Sequence, residues 1–337
     1  MSINLRRTVI VALCLAIGIA SCSGQAGERN YSLVLGGNQS TEDLVTQGLQ
    51  LVAELAKKKS NGTISIEVMP ASQLGDGITQ IEAVGMGTQD MAGFSAGFNA
   101  TFVADKGPES IFFLFKDAQH LKTYLKSDIC TELNQRFLDI TGARVLANNW
   151  ISMPRAFSSK QRPLTSIKDF SGLKIRVPDI KVYLDSITSL GGKSTQVPTA
   201  EIYLAFMQGL VDAAEQPYDM LYTLNICLVG KYITRTNHVR DAVNILINEA
   251  KFQTMSEGQR KALIEAAVEA GEWYEAECYK NFDRITEMMK KVGCEIFDVP
   301  PVDFAEMREA VLKYATKLEA DGNWEKGLIE RISALAK

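Results

Sequence analysis

The chain has 337 residues, 36 Lys and Arg against 40 Asp and Glu, a formal net charge of −4, and 46% hydrophobic residues. That composition is ordinary for a globular protein, and the length is ample for two domains. The acidic balance, with no basic run or aromatic-basic patch, argues against a nucleic-acid partner. His120 and His238 are the only histidines, so a histidine-rich metal site is excluded.

The first segment reads as an address label. Arg6 and Arg7 precede an apolar stretch from Thr8 to Ala20, too short and too early for a membrane span. It ends in Ile19-Ala20-Ser21-Cys22, which resembles a bacterial lipobox. On that reading residues 1–21 are a lipoprotein signal peptide and Cys22 is the lipidated first residue of the mature protein. The segment 22–30, small and polar, is then a tether. The competing reading is an ordinary signal peptide with a chance cysteine. Losing the signal removes two arginines and no acids, leaving 34 basic against 40 acidic residues, or −6. The expected location is the periplasm or the outer face of the cytoplasmic membrane. There the acyl chains hold the protein at ~0.8 kcal/mol per buried methylene.

From Asn30 onward, strand and helix patterns alternate. Tyr31 to Leu35 is a predicted strand, followed by a Gly-rich turn and a helix start at Ser40 with Asp43. The apolar stripe Leu44, Leu51, Val52 and Leu55 marks the helix, which ends near Lys59-Ser60-Asn61-Gly62. Thr63–Val68 is a strand, Gly77–Met86 a helix and Asp90–Phe94 a strand; Ile111–Phe115 reads as core. A helix over Thr131–Ile140 and a strand over Ala143–Asn148 follow.

In GLKIRVP, Gly172 to Pro178, the alternation of Leu173, Ile175 and Val177 with Lys174 and Arg176 predicts a short half-buried strand. Arg176 then sits at the carboxyl end of a strand, where open α/β sheets receive ligands. Its planar fork of donors suits a carboxylate. A neighbouring Asp or Glu would occupy it equally well. Helices over Val182–Leu190 and Ala200–Leu210 come next, then a strand in VDAAEQP (Val211–Pro217) and another over Val243–Asn248. Ser256 with Gln259 opens the longest helix, to about Lys291, roughly 50 Å at ~1.5 Å per residue. A break at Gly271 is the alternative, and the continuous version is favoured because such a helix reaches across two domains. Cys130, Cys227, Cys278 and Cys294 include no CxxC pair. Buried free thiols are the simplest reading, although export permits one disulfide, with Cys278 and Cys294 the nearest in sequence.

Alternating strands and helices with no Pro/Gly-rich linker predict an α/β fold of two lobes joined by several short hinge crossings. Lobe I is expected to comprise 31–151 plus 241–282, and lobe II 152–240 plus 283–337, with the ligand site in the cleft between them. HExxH and Walker signatures are missing from the sequence, and the one GxSxG match, Gly93-Phe94-Ser95-Ala96-Gly97, stands with the two histidines in unrelated settings, so binding without catalysis, metal or cofactor is the expectation.

The motifs PASQLGD (Pro70–Asp76), GTQDM (Gly87–Met91), IFFLF with His120 after it, RAFSSKQRPL (Arg155–Leu164), GLKIRVP, AEIYLAFMQGLVD (Ala200–Asp212) and EQP (Glu215–Pro217) occur in this order. Together they resemble the substrate-binding protein of a tripartite ATP-independent periplasmic (TRAP) transporter, the DctP-type family, over about Tyr31 to Lys337. The resemblance implies a periplasmic-binding-protein-like fold that closes on a small organic acid and passes it to membrane permease subunits. It implies that Arg176 clamps the carboxylate, that Arg155 assists, and that Gln216 contacts the ligand. Asn38 and Gln39 face the ligand from the other lobe, Thr199 and Ser95 match further contact positions, and Asp76 either caps a helix or approaches the cleft.

Where the family commonly has Gly-Gln-Glu-Asn-Pro, this chain has Ala213-Ala214-Glu215-Gln216-Pro217, and Phe112 replaces a usual proline. The sialic-acid branch carries an acidic residue at the position of Ser95, which points to a different ligand here. Met153, Phe157, Phe94 and Phe98 either line the cleft or pack in the core, and Trp150 either stacks on a ligand or fills the core. Glu201 and Tyr203 read as helix-start and core residues. A ligand-sensing or scaffold lipoprotein of the same fold, or the binding protein of an ATP-driven transporter, are the alternatives. Replacing Cys22 with Ala should move the protein from the membrane fraction to the soluble fraction on cell fractionation; retention in membranes would refute the lipobox.

Overall fold

The computed structural model describes residues 29–336; the signal segment, Cys22 and most of the tether lie outside them. In chain order the strands are β1 (Tyr31–Gly37), β2 (Ile64–Met69), β3 (Met91–Ser95), β4 (Ala143–Ile151), β5 (Arg155–Ser159) and β6 (Lys174–Val177). They continue with β7 (Lys193–Gln196), β8 (Ala213–Pro217), β9 (Tyr232–Arg235), β10 (Ala242–Asn248) and β11 (Glu295–Asp298). They form two sheets, one of order β2-β1-β3-β10-β4 and one of order β11-β9-β5-β8-β6-β7. In the first, β1 runs parallel to β2 and β3 while β10 is antiparallel to β3 and β4. In the second, β6 runs parallel to β7 and β8, and β5 is antiparallel to β8 and β9. This is the two-lobe α/β architecture that the alternating pattern predicts.

The chain passes between the sheets at Ser152–Pro154, returns at Thr236–Asp241, and crosses again along the helix Glu257–Lys291. That helix runs unbroken for 35 residues, opened by the Ser256–Gln259 capping box read from the sequence. Its first half packs on the helix Leu44–Lys59 and on β4 of the first sheet. Further along, Phe282 stacks on Tyr218 of the second lobe at 4.8 Å, and Thr286 Oγ1 donates to Tyr218 Oη at 3.3 Å.

Gly271 does not break the helix because it makes room for a side chain. The ring of Trp150, fully buried, lies so close that a Cβ on Gly271 would fall 2.4 Å from its Cδ1. A Cβ on Gly48, in the helix Leu44–Lys59, would fall 2.5 Å from Cζ3 of the same ring. Trp150 Nε1 donates to the Ala267 carbonyl at 2.9 Å. Trp150 is therefore core, and so are Phe94 and Phe157, each fully buried. All five residues of Ile111–Phe115 are buried too, with Phe112 against His238 at 4.4 Å between ring centroids.

Local sequence explains most boundaries. The helix Leu44–Lys59 starts one residue after Asp43, whose Oδ1 accepts from Val45 N at 2.8 Å, so Asp43 is the cap where Ser40 was expected. The helix Gly77–Met86 is capped by Asp76, whose Oδ1 accepts from Thr79 N at 2.9 Å. Gly87 follows at φ 78°, a left-handed value that glycine adopts at little cost. The remaining four cysteines are buried and free, and the Cys278–Cys294 disulfide that export would permit is not formed. Cys294 Sγ instead donates to the Cys227 carbonyl at 3.2 Å.

An alanine in a helix interior ordinarily gains about 1 kcal/mol over glycine. At Gly48 and Gly271 the Trp150 ring reverses that sign, because overpacking a buried site costs about 1–3 kcal/mol. Gly48→Ala and Gly271→Ala should each lower unfolding free energy in urea titration; a gain in either would mean that the ring is free to move.

Candidate functional site

Where the crossings meet, residues from both sheets enclose a cavity with an empty volume of about 510 Å³, part of it open to solvent. Asn38 and Gln39 enter it from the loop after β1, Ser95 from the end of β3, Arg155 from β5, Arg176 from β6, Thr199 from the turn after β7, and Gln216 from β8. Seven of the eight ligand-site positions expected from the sequence thus line one cavity. The eighth, Asp76, lies in an adjoining compartment of about 540 Å³ that shares Asn38, Phe98, Arg176, Pro178 and Thr199 with the first. Asp76 is therefore both cap and cleft rim.

The two arginines have opposite surroundings. Arg155 is spent on a protein partner: its Nε and Nη2 meet Glu215 Oε2 and Oε1 at 2.5 and 2.8 Å, and both residues are buried. Its Nη1 lies 3.9 Å from Asp241 Oδ2, and the guanidinium covers the Tyr183 ring at 5.2 Å. Burial would push the Glu215 carboxyl up, but Arg155 and His238 overcome it and hold the group near 2.

Arg176 is 1% exposed, donates from Nε to the Val197 carbonyl at 2.8 Å, and reaches Thr199 Oγ1 from Nη2 at 3.5 Å. Among the described residues no carboxylate lies within ion-pair distance of it. Burial pushes its pKa down to about 9, with Glu215 opposing and Arg155 reinforcing the fall, so it remains a cation at neutral pH. A buried guanidinium without a contact anion costs several kcal/mol. Next to it, Gln216 Nε2 has no hydrogen-bond partner, and neither have Asn38 Oδ1 and Gln39 Oε1 across the cleft. All three residues are at least nine-tenths buried. Orphaned donors and acceptors on both walls mark a surface made for something polar between them.

Other expected positions serve the frame. Ser95 Oγ donates to Asp241 Oδ2 at 2.6 Å and accepts from Gly97 N at 3.2 Å. Phe98 lines both compartments, whereas Met153 faces a separate surface pocket beside Cys278 and Phe282. Glu201 is exposed and Tyr203 is 40% exposed, so the core placement read for Tyr203 does not hold; the helix Ile202–Met207 buries Ile202, Ala205 and Phe206 instead.

The sequence reading missed the carboxylates. Asp43, Asp219 and Asp241 line the same cavity, with Tyr274 of the long helix beside them. Asp43 was legible only as a helix start. Asp219 lies two residues after Pro217 of the EQP segment, which was the available signal. Burial pushes Asp43 up to about 8, with the Asp219 charge adding to the rise, and pushes Asp219 up to about 6. Among the described residues no group of three or more His, Cys, Asp or Glu is arranged to hold a metal ion.

The raised carboxyls set the sign of the pH dependence. They stay protonated in the folded protein at pH values where the unfolded chain has released its protons. Their contribution is complete below the ordinary 3.8 and is lost as pH rises through about 6 and about 8. Glu215 acts the other way and lower: its contribution is present above 4.5 and lost as pH falls toward about 2. The unfolding midpoint of ligand-free protein should fall between pH 4 and pH 8, and Asp43→Asn, which keeps a capping side chain, should flatten the fall. A wild-type midpoint rising over that window would contradict the assignment.

Comparison with known proteins supplies the family. Residues 35–321 match the profile of the bacterial extracellular solute-binding protein family 7, DctP. The sialic acid-binding periplasmic protein of Vibrio cholerae is 24% identical over 304 residues, 90% of this chain and 92% of that one. The 2,3-diketo-L-gulonate-binding periplasmic protein of Escherichia coli is 27% identical over 293 residues, 86% and 87% of the two chains. A TRAP periplasmic solute binding protein from Desulfovibrio salexigens, solved with bound orotic acid, superposes with a TM-score of 0.84 at 25% identity, covering 91% of this chain and 98% of that one. The chain belongs to the DctP family of bacterial extracellular solute-binding proteins.

Proposed function

We propose that the protein captures a small organic acid between its lobes, clamps the carboxylate with Arg176, and delivers it to TRAP-type membrane permease subunits. The observation that supports the clamp most directly is the contrast between neighbours. Arg155 has a carboxylate of its own in two-point contact, while Arg176, equally buried, has none among the described residues. A ligand carboxylate supplies the missing anion, and charge-assisted bonds of this kind contribute about 1.5–3 kcal/mol each.

Arg155 then acts as a positioning residue. Held by Glu215, it does not compete for the ligand oxygens. Gln216 Nε2 and Thr199 Oγ1 lie on the same side as Arg176, and Asn38, Gln39 and Ser95 lie on the wall opposite. Closure moves 31–151 plus 241–282 against 152–240 plus 283–337 about the crossings at Ser152–Pro154 and Thr236–Asp241. Anion arrival and closure are coupled, because sealing Arg176 away from water without an anion carries the full desolvation penalty. Relatives named for sialic acid, diketogulonate and orotic acid all take acids, which fits the same clamp. The lipid anchor at Cys22 would keep the protein near its permease.

Arg176→Lys keeps the charge and loses the planar fork. Isothermal titration with the bound acid should show affinity reduced at least about tenfold, near 1.4 kcal/mol. Unchanged affinity would remove the clamp from the account.

A further inference from the structure

Asp43 and Asp219 come from different parts of the chain, the cap of the helix after β1 and the helix Tyr218–Thr223 after β8, and meet in the cavity that holds Arg176. Asp43 is fully buried and Asp219 is 2% exposed. Asp43 accepts from Val45 N at 2.8 Å and from Thr223 Oγ1 at 3.3 Å, and Asp219 Oδ1 accepts from Met220 N at 3.0 Å. Among the described residues neither is within ion-pair distance of a Lys, Arg or His. The other titratable groups around the pair are Tyr274 and Cys278 of the long helix, Asp241 in the same cavity, and Arg155, whose charge pulls Asp219 down against its burial. A second, independent feature points the same way: the orphaned acceptors Gln39 Oε1 and Asn38 Oδ1, on the loop leading to Asp43, line the same space and lack donors.

We propose that Asp43 and Asp219 form a second subsite that receives an ammonium group, so that the ligand is an amino-substituted carboxylate and not a simple anion. This rests on the organic-acid reading above and narrows it.

Charge decides between the candidate ligands. Glu215 neutralises Arg155, and Arg176 shares the cavity with the buried carboxyls of Asp43, Asp219 and Asp241. A plain carboxylate adds a further negative charge to that set. Hydroxyl groups would satisfy the acceptors but bring no counter-charge, so the carboxyl pair would have to keep its protons or be buried as like charges, which is costly. An ammonium carries three donors and a positive charge. It answers the carboxyl pair and the orphaned amide oxygens at once. Burial, joined for Asp43 by the Asp219 charge, raises both carboxyls, so they hold protons that an arriving ammonium displaces.

The test uses the mature protein, stripped of carried-over ligand by denaturation and refolding. Isothermal titration compares the common α-amino acids and the ω-amino acids from glycine to δ-aminovalerate, each beside its hydroxy and unsubstituted analogue. The amino member of the binding set should be at least about tenfold tighter than its two analogues. Asp219→Asn, checked for unchanged circular dichroism, should erase that preference while Arg176→Lys weakens every member. Titration in two buffers of different ionisation enthalpy should show protons leaving the protein as the amino ligand binds. The inference is overturned if a hydroxy or unsubstituted member binds best, or if Asp219→Asn leaves the order unchanged. It also falls if no amino member binds while other acids do. Silence from every acid would overturn the organic-acid reading along with it.

Discussion

Arg176 is a buried cation for which the described part of the protein supplies no anion, and the architecture of the cleft follows from keeping it so. Its strand lies between two others of the second sheet, and its Nε is anchored to a backbone carbonyl, so the guanidinium is fixed in place while its charge is left open. Glu215, the acid whose charge acts on it, is held by Arg155 in a two-point pair. Glu215 still acts on Arg176 through its charge, but its oxygens are committed to Arg155. Such buried pairs contribute little net stability but are costly to break.

The second constraint is mechanical. The cavity is lined by residues at the crossings themselves, Ser152 and Asp241, and by Tyr274 of the helix that bridges the lobes. Any motion of the lobes therefore changes the cavity directly. Trp150, wedged between Gly48 and Gly271, locks the long helix to the first sheet. The same helix reaches the second lobe through the Phe282–Tyr218 stack and buries Ile285 and Met289 there, so it ties the two lobes together at the cavity.

Much of this was legible in the sequence. The long helix, its capping box, the helix Gly77–Met86 and the fully buried strand β10 follow from apolar period and caps, because long or fully buried elements carry strong patterns. The four-residue strands β7 and β11 were not, since both expose half or more of their residues at sheet edges and show no clean alternation. Arg176 could be placed at a strand end from GLKIRVP alone, yet nothing in those residues distinguishes an open guanidinium from a paired one. Its neighbour shows the difficulty: Arg155 is equally placed on a strand and turns out to be occupied. The partner, Glu215, lies sixty residues away in sequence. Asp43 and Asp219 escaped for the same reason, being 176 positions apart and joined only by the fold. Pairing across long separations is what a linear reading lacks.

The central claim is that the site requires a carboxylate, and charge can be varied at nearly constant shape. Thermal unfolding of ligand-stripped protein should be followed against a panel of organic acids and the corresponding primary amides. An acid at one hundred times its dissociation constant should add ~2.7 kcal/mol of stability and raise the midpoint, whereas its amide, which brings no anion to Arg176, should leave the midpoint where it was. Equal stabilisation by acid and amide would contradict the account.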